Sequence, residues 1–273
     1  MSDDVFLSVS AEPNDWWTVQ RGLSPIVATA IHNGSHVRDD LLSGMKLSAA
    51  DRLREEDPFT EYTIRDVANR VVFHRSRFEV DLNRARSGAV YLKPEQAWGL
   101  DIWKAPPAET LVDRSLLVHD DYYAMLASLL QAQEKLHGQF VVLDIHSYNH
   151  RRGGVDADPT DSADAPEINI GTASMDRARW AHVLDPFIAA LRSFDYRGRP
   201  LDVRENVAFQ GKGEQTRFIH EQFPGSGCAI AVEFKKIFMD EWTGEPDTEA
   251  LVALRALIRS TLPVLEHALR DGR

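Results

Sequence analysis

The stretch Phe140–Ser147 (FVVLDIHS) begins with four apolar residues and ends on a carboxylate, an imidazole and a hydroxyl. Short apolar runs without strict alternation are typical of strands that are buried on both faces, as in parallel sheets. Two similar runs are Ile26–Ile31 (IVATAI), which is followed by His32, and Cys228–Phe234 (CAIAVEF), which contains Glu233. Open parallel sheets place their active-site residues at strand ends of this kind. The three runs therefore predict a sheet with chemically active side chains along one edge.

Further strands and three helices are predicted along the rest of the chain. The additional strand-like runs are Val71–Phe73, Phe78–Val80, Ile168–Ile170 and Leu201–Val203. Amphipathic periodicity predicts helices at Asp120–Leu136, Met175–Phe194 and Asp247–Leu269. Strands that alternate with helices of this length indicate βαβ units. Because no repeat and no strong boundary divide the chain, residues 1–273 are predicted to form a single α/β domain with a mostly parallel sheet.

The composition is that of an ordinary globular protein and argues against several function classes. Of the 273 residues, 43% are hydrophobic, which is ample for a core, and no apolar run is long enough to span a bilayer. The acidic start Met1–Asp4 lacks the positive charge of a signal peptide, and the single Cys228 rules out an internal disulfide. We therefore expect a cytoplasmic protein without a membrane partner. The net charge of −11 argues against a nucleic-acid partner.

His32 and His146 are the candidate metal ligands. Asp144 and His146 alternate onto one face of the predicted strand, where a carboxylate can orient an imidazole that binds a metal. His32 stands at the end of another buried strand, and His36 lies about one helical turn further along and could bind the same metal. The alternative for each histidine is a structural role, with the imidazole bonded to the backbone or packed in a polar turn. The combination of His32 with His146 favours the metal.

Glu233 lies inside an otherwise apolar strand. A carboxylate buried there must be paired, protonated or bound to a metal, because burying an unpaired charge is costly. Burial would raise the pKa of Glu233 toward neutrality, which suits a general base. The alternative is a structural ion pair with Lys235, Lys236 or an arginine.

The segment Ser76–Arg84 (SRFEVDLNR) supplies candidate anion-binding groups. Arg84 presents a planar guanidinium that matches a carboxylate, and Asn83 adds an amide beside it. Since the protein is acidic overall, an anionic substrate needs a local cationic pocket, for which Arg77 is a weaker second contact. The alternative is that Asp81 and Arg84 only cap the turn.

Four motifs, in this order along the chain, resemble those of the N-formylglutamate amidohydrolase family. Ile31–Gly34 (IHNG) corresponds to the family's Pro-His-Ser-Gly turn, although the proline is missing and asparagine replaces serine. Ser76–Arg84 matches Ser-Arg-x-x-x-Asp-Leu-Asn-Arg, and Asp144–Ser147 matches Asp-x-His-Ser. The late glutamate of the family, followed by a Tyr/Phe-Met-Asp-Glu run, matches Glu233 and Phe238–Glu241.

This family is similar in fold and site to zinc carboxypeptidases and aspartoacylase-type deacylases. The resemblance therefore implies a three-layer, phosphorylase/hydrolase-like α/β sandwich and one zinc ion per chain, held by His32, His146 and a carboxylate. The related carboxypeptidases take that carboxylate from a His-x-x-Glu motif, but Ser35 occupies the glutamate position here. Glu61 falls where the family carries an acidic residue, and we choose it as the third ligand.

Two other residues remain open for the third ligand, namely Asp57 and His36. The resemblance further implies that Glu233 transfers protons and that Asn83 and Arg84 bind the α-carboxylate of a small acidic substrate. The implied reaction converts N-formyl-L-glutamate to formate and L-glutamate.

Two alternatives to this reaction stay open: a deacylase or carboxypeptidase for another N-acyl amino acid or short peptide, and a non-catalytic anion-binding protein of the same fold. The loop Arg151–Pro166, rich in glycine, aspartate and proline, is a candidate lid beside His146.

Overall fold

A seven-stranded sheet forms the centre of the computed structural model, which describes residues 15–272. Its strands are β1 Trp17–Gln20, β2 Ile26–Ala30, β3 Asn69–Phe73, β4 Phe140–Tyr148, β5 Ile168–Gly171, β6 Val203–Glu205 and β7 Gly227–Lys235. They run from edge to edge in the order β1-β3-β2-β4-β7-β5-β6. The four central strands, β3, β2, β4 and β7, are parallel, while β1 is antiparallel to β3 and β5 is antiparallel to β7.

Helices cover both faces of this sheet. Ile26 and Ala28 of β2 belong to an apolar cluster that includes helices from one side, and Val27 belongs to a cluster on the other side. This arrangement confirms the predicted three-layer α/β fold and explains why the central strands read as continuous apolar runs. The helices are α1 Asp39–Leu42, α2 Ala49–Glu55, α3 Thr60–Thr63, α4 Glu109–His137, α5 Ala181–Ser193, α6 Glu214–Gln222 and α7 Thr248–Asp271. Helices α5 and α7 lie on the face of Ile26, whereas α4 and α6 lie on the face of Val27.

The prediction of a strand at Phe78–Val80 is wrong. The backbone N–H groups of Glu79 and Val80 both donate to the carbonyl of Ser76, at 2.9 and 3.3 Å, and fold the segment into a turn. Its apolar residues reflect burial rather than sheet pairing, because Phe78 and Val80 are fully buried in two different apolar clusters.

Other element boundaries also differ from the sequence-based expectation. Helix α4 starts at Glu109 rather than Asp120, and α5 starts at Ala181 rather than Met175. Strand β1 and helix α6 are not predicted at all. Strand β1 is a four-residue edge strand, and α6 buries the polar Gln215 and Thr216, so neither shows a clear apolar pattern.

No helix within residues 15–272 is long and apolar enough to cross a membrane. The segment Met1–Asp4, on which the expectation about the signal peptide rests, lies outside the described residues.

Candidate active site

The carboxyl ends of β2, β4 and β7 meet at one edge of the sheet and line a cavity of about 770 Å³. His32 follows β2 directly, and His146 of β4 lies opposite Glu233 of β7 in the strand register. All three side chains are at least nine-tenths buried and line this cavity. The parallel pairing of three strands therefore brings together residues that are far apart in sequence, as predicted for an open parallel sheet.

Three ligand-type atoms converge at the base of the cavity. The Nδ1 atoms of His32 and His146 lie 3.2 Å apart. Oδ2 of Asp57 lies 3.3 Å from Nδ1 of His32 and 3.1 Å from Nδ1 of His146. Ligands of a tetrahedral zinc with bonds of about 2.0 Å are separated by roughly 3.3 Å. The triangle therefore fits a zinc ion bound by two imidazoles and one carboxylate.

Asp57 reaches the histidines because two loops are bonded together. The backbone N–H of Asp57, just after α2, donates to the carbonyl of His32 at 2.9 Å. The hydroxyl of Ser147 donates to the second oxygen of Asp57 at 3.2 Å. Gly34 lets the His32 turn pass close to β3, since a Cβ there would lie 2.0 Å from the carbonyl carbon of His74.

The structure does not bring Glu61, the chosen third ligand, to the two histidines. Within residues 15–272, the cluster of ligand-type groups consists of His32, Asp57 and His146, and Glu61 does not line the cavity. The side chain of Asn33 accepts the backbone N–H of Glu61 at 3.0 Å and caps the short helix α3. Burial lowers the pKa of Arg70, and the negative charge of Glu61 opposes that shift only in part.

His36, the other open choice, also lies outside this cluster. It is exposed and forms a β-bridge with Arg75 through its backbone. Its N–H donates to the carbonyl of His74, and its carbonyl accepts the N–H of Ser76. This backbone pairing holds the residue at the surface.

A buried carboxylate lies behind each imidazole. Nε2 of His32 is 2.7 Å from Oδ1 of Asp81, and Nε2 of His146 is 3.1 Å from Oδ2 of Asp144. Metal-binding histidines commonly donate their second ring N–H to a carboxylate, which fixes the tautomer and turns the other nitrogen toward the metal. Burial lowers the pKa of His146, but the negative charges of Asp144 and Glu233 outweigh it and raise the pKa well above its usual value.

Glu233 is almost fully buried, and burial raises its pKa to about 7, against the opposing effect of His146. A carboxylate with such a pKa can take up and release a proton near neutral pH. The alternative of a structural ion pair is not found within residues 15–272. The ammonium group of Lys235 donates to the carbonyl of Ala165, and that of Lys236 donates to the carbonyls of Arg54 and Glu56.

Asn83, Arg84 and Arg77 all line the same cavity. The guanidinium of Arg84 is half exposed and only approaches Asp81, at 3.8 Å, so its donors are available to a ligand. Oδ1 of Asn83 is buried without a hydrogen-bond partner in the described part of the chain.

Arg77 is instead held by protein groups. Its guanidinium donates to Asp81 at 2.9 Å and to the carbonyl of Glu55 at 3.2 Å, and it stacks on the ring of Trp98. These contacts make Arg77 a support for Asp81.

Sequence reasoning missed a glycine-flanked lysine at the rim of the cavity. Lys212 lines the cavity and is exposed, and its ammonium group forms no ion pair with any described residue. A Cβ on Gly211 would lie 2.3 Å from the carbonyl carbon of Gly171, and one on Gly213 would lie 2.0 Å from Oδ1 of Asn83. The two glycines therefore fix the loop against β5 and against Asn83. The Gly-Lys-Gly spacing was the available signal.

The predicted lid loop lies next to the cavity. Arg152 lines the cavity wall and forms an ion pair with Glu55, at 3.2 Å. Residues 151–166 form neither a helix nor a strand. A lid function stays a prediction.

Comparison with known proteins supports the resemblance seen in the motifs. The sequence profile of the N-formylglutamate amidohydrolase family matches residues 24–239. The chain belongs to this family. As a member of an amidohydrolase family, it is a hydrolase of amide bonds. A search of curated proteins gives no match.

Two solved structures share the fold of this amidohydrolase. The N-formylglutamate amidohydrolase from Ralstonia eutropha JMP134 superposes with a TM-score of 0.71 at 17% identity, over 94% of this chain and 99% of that chain. A gene product from Agrobacterium tumefaciens superposes with a TM-score of 0.58 at 16% identity, over 94% of both chains. At such low identity these likenesses establish the α/β fold.

We expect Asp81→Asn to destabilise the amidohydrolase strongly. The substitution keeps the shape but removes the charge that compensates Arg77 and His32, and breaking a buried ion pair costs about 3–5 kcal/mol. Urea unfolding at pH 7 in EDTA measures the loss of unfolding free energy. The matched control is Asp120→Asn, which breaks an exposed ion pair with Arg86 and should cost far less, because solvent screens an exposed pair. Equal losses in the two variants would contradict the prediction.

Proposed function

We propose that this protein hydrolyses N-formyl-L-glutamate to formate and L-glutamate, with one zinc ion held by His32, Asp57 and His146. The observation that carries the proposal is the triangle of two Nδ1 atoms and one carboxylate oxygen, with edges of 3.1 to 3.3 Å. Catalytic zinc sites use three protein ligands of this kind and keep a fourth position for water or substrate. Family membership supports the amide-bond chemistry.

A zinc ion held by His32, Asp57 and His146 would supply a Lewis acid that polarises the scissile carbonyl and lowers the pKa of water. Glu233 lies opposite His146 in the strand register and lines the same cavity. Because burial raises its pKa to about 7, Glu233 can take the proton of the attacking water and then donate it to the departing amine. One carboxylate thus serves as base and acid.

The cationic side chains around the cavity favour an acidic substrate. Arg84, whose guanidinium donors are available, and Asn83, through its side-chain N–H groups, would bind the α-carboxylate; both line the cavity. The exposed Lys212 adds a positive charge at the rim, where it can attract a second carboxylate. These groups give an acidic protein a local site for a dianion.

The size of the cavity favours a second candidate within the same chemistry. A volume of about 770 Å³ is in the range that accepts drug-sized ligands, so it leaves room for an acyl group larger than formyl. A deacylase or carboxypeptidase for another N-acyl amino acid or short peptide would use the same residues. Comparing kcat/KM for N-formyl-, N-acetyl- and peptidyl-L-glutamate decides between the two. A preference for the larger acyl groups, with no activity on the formyl compound, would select the second candidate.

Metal analysis tests the third ligand. The purified protein should contain about one zinc per chain, and Asp57→Ala should lose most of it, because removing one of three protein ligands disrupts the tetrahedral set. Glu61→Ala is the control and should retain zinc, since Glu61 lies outside the cluster. Elemental analysis after gel filtration gives the zinc content of both variants. Loss of zinc in Glu61→Ala with full occupancy in Asp57→Ala would restore Glu61 as the ligand.

Substitution of Glu233 tests proton transfer and also separates an enzyme from a non-catalytic binding protein. Glu233→Gln keeps the shape of the side chain but cannot accept a proton, so kcat should fall by roughly 100-fold or more while zinc content and KM change little. Steady-state kinetics and elemental analysis measure these quantities. Unchanged kcat would exclude Glu233 as the base, and loss of zinc would make it a ligand instead.

Recognition of the α-carboxylate is tested through Arg84. Lysine cannot reproduce the two parallel hydrogen bonds of a guanidinium, so Arg84→Lys should lower kcat/KM for N-formyl-L-glutamate by at least about tenfold, or roughly 1.4 kcal/mol. The wild type should also prefer this substrate over its α-amide. The exposed Arg86, which pairs with Asp120 and does not line the cavity, provides the control Arg86→Lys, for which kcat/KM should stay the same. Equal turnover of acid and α-amide would refute carboxylate recognition.

A further inference from the structure

A buried polar chain extends from the candidate metal centre into the helical layer. Oδ1 of Asp144 accepts hydrogen bonds from the side-chain amide of Gln215 at 2.6 Å and from the hydroxyl of Thr29 at 3.0 Å. Oε1 of Gln215 accepts the hydroxyl of Tyr122 at 2.6 Å. All four side chains are at most 1% exposed. They come from α4, α6, β2 and β4, so four elements converge on one carboxylate.

The hydrogen atoms of this network can be placed in one consistent way. The amide nitrogen of Gln215 has two N–H groups, which point to Asp144 and to the hydroxyl oxygen of Thr29, at 2.6 and 2.7 Å. The Thr29 hydroxyl then donates to Asp144. Because a carboxylate only accepts hydrogen bonds, Asp144 requires the nitrogen end of the Gln215 amide. Oε1 of Gln215 then faces α4 and accepts the hydroxyl of Tyr122, which holds the oxygen end of the amide in place.

The hydrogen bonds from Gln215 and Thr29 occupy Oδ1 of Asp144 and leave its Oδ2 for the imidazole of His146. Oδ2 lies 3.1 Å from Nε2 of His146. Neither atom has another partner within residues 15–272. The position of the Asp144 carboxylate therefore decides whether Nε2 of His146 faces a negative charge and whether its Nδ1 faces Asp57.

We propose that Gln215 and Tyr122 are positioning residues for the metal centre, which act through Asp144 to hold the imidazole of His146 with Nδ1 directed at Asp57 and His32. The inference rests on the proposed zinc site but concerns residues that lie outside the cavity or behind its wall. Substitution of groups that orient metal ligands typically lowers metal affinity by 10- to 100-fold. Gln215 is one hydrogen bond away from Asp144, and Tyr122 is two hydrogen bonds away. The loss of zinc affinity should therefore be smaller when Tyr122 is substituted.

The experiment measures zinc affinity by competition with a chromogenic chelator, together with the visible spectrum of the Co²⁺-substituted protein. Gln215→Met keeps the length of the side chain but removes both ends of the amide, and it should weaken zinc binding by about tenfold. Tyr122→Phe removes one oxygen atom and should weaken binding in the same direction by a few-fold. Both variants should shift the Co²⁺ absorption bands, which report ligand geometry and do not respond to a general loss of stability.

Tyr196→Phe is the matched control. It removes the same atom from another buried tyrosine, which does not line the cavity and lies outside the network. Its zinc affinity and Co²⁺ spectrum should equal those of the wild type. If Gln215→Met fails to fold, Tyr122→Phe against Tyr196→Phe still decides the question.

A double-mutant cycle tests the order of the chain. If Tyr122 acts through Gln215, then Tyr122→Phe should have no further effect on zinc affinity in the Gln215→Met protein. Wild-type affinity and spectra in both single variants, or additive losses in the double variant, would overturn the inference. A wild-type protein that binds no zinc would instead refute the proposed metal centre.

Discussion

Compensation of buried negative charge is the constraint on which the rest of this site depends. Asp57, Asp81 and Asp144 are each at most 2% exposed, and they lie around two imidazoles. A buried carboxylate without partners is too costly to keep ionised, so each needs its own set of donors. Those donors come from distant parts of the chain, including Arg77 for Asp81, Ser147 for Asp57 and Gln215 for Asp144. Formation of the site therefore requires most of the fold.

Asp81 connects the candidate metal ligands to the candidate substrate contacts. Its Oδ1 lies 2.7 Å from Nε2 of His32 and accepts the backbone N–H of Asn83 at 2.8 Å. Its Oδ2 accepts Arg77 and the hydroxyl of Tyr91. One carboxylate thus fixes the imidazole on one side and the turn that carries Asn83 and Arg84 on the other. This explains in physical terms why an Asp-Leu-Asn-Arg sequence suits a site that must hold a substrate anion at a set place beside a metal.

Helix α6 has a comparable double role. Gly213, just before the helix, packs against the side chain of Asn83, and the backbone N–H of Glu214 donates to the carbonyl of Asn83 at 3.1 Å. The next residue, Gln215, bonds the carboxylate behind His146. Three consecutive residues therefore contact both halves of the site. The polar character that hid α6 from pattern analysis follows from this role, because its buried face serves a hydrogen-bond network as well as an apolar core.

The motif Ser76–Arg84 indicated Arg84 as a candidate anion contact. The sequence by itself also determined the α/β class, the strand that ends just before His32, and the strands that carry His146 and Glu233. It could do so because buried parallel strands read as apolar runs, and the polar groups that end them stand out.

Tertiary structure decided the rest. Asp57 and Glu61 are both acidic residues in one short segment. The hydrogen bond from the Asp57 N–H to the His32 carbonyl brings Asp57 to the candidate metal centre. The hydrogen bond from the Glu61 N–H to the side chain of Asn33 fixes Glu61 at the start of α3, away from that centre. Likewise, Phe78–Val80 resembles a strand because burial selects apolar residues in turns as well as in sheets, and periodicity over three residues cannot separate the two. The partners Gln215 and Tyr122 lie 71 and 22 residues from Asp144, and a hydrogen bond across such separations leaves no local pattern for the sequence to show.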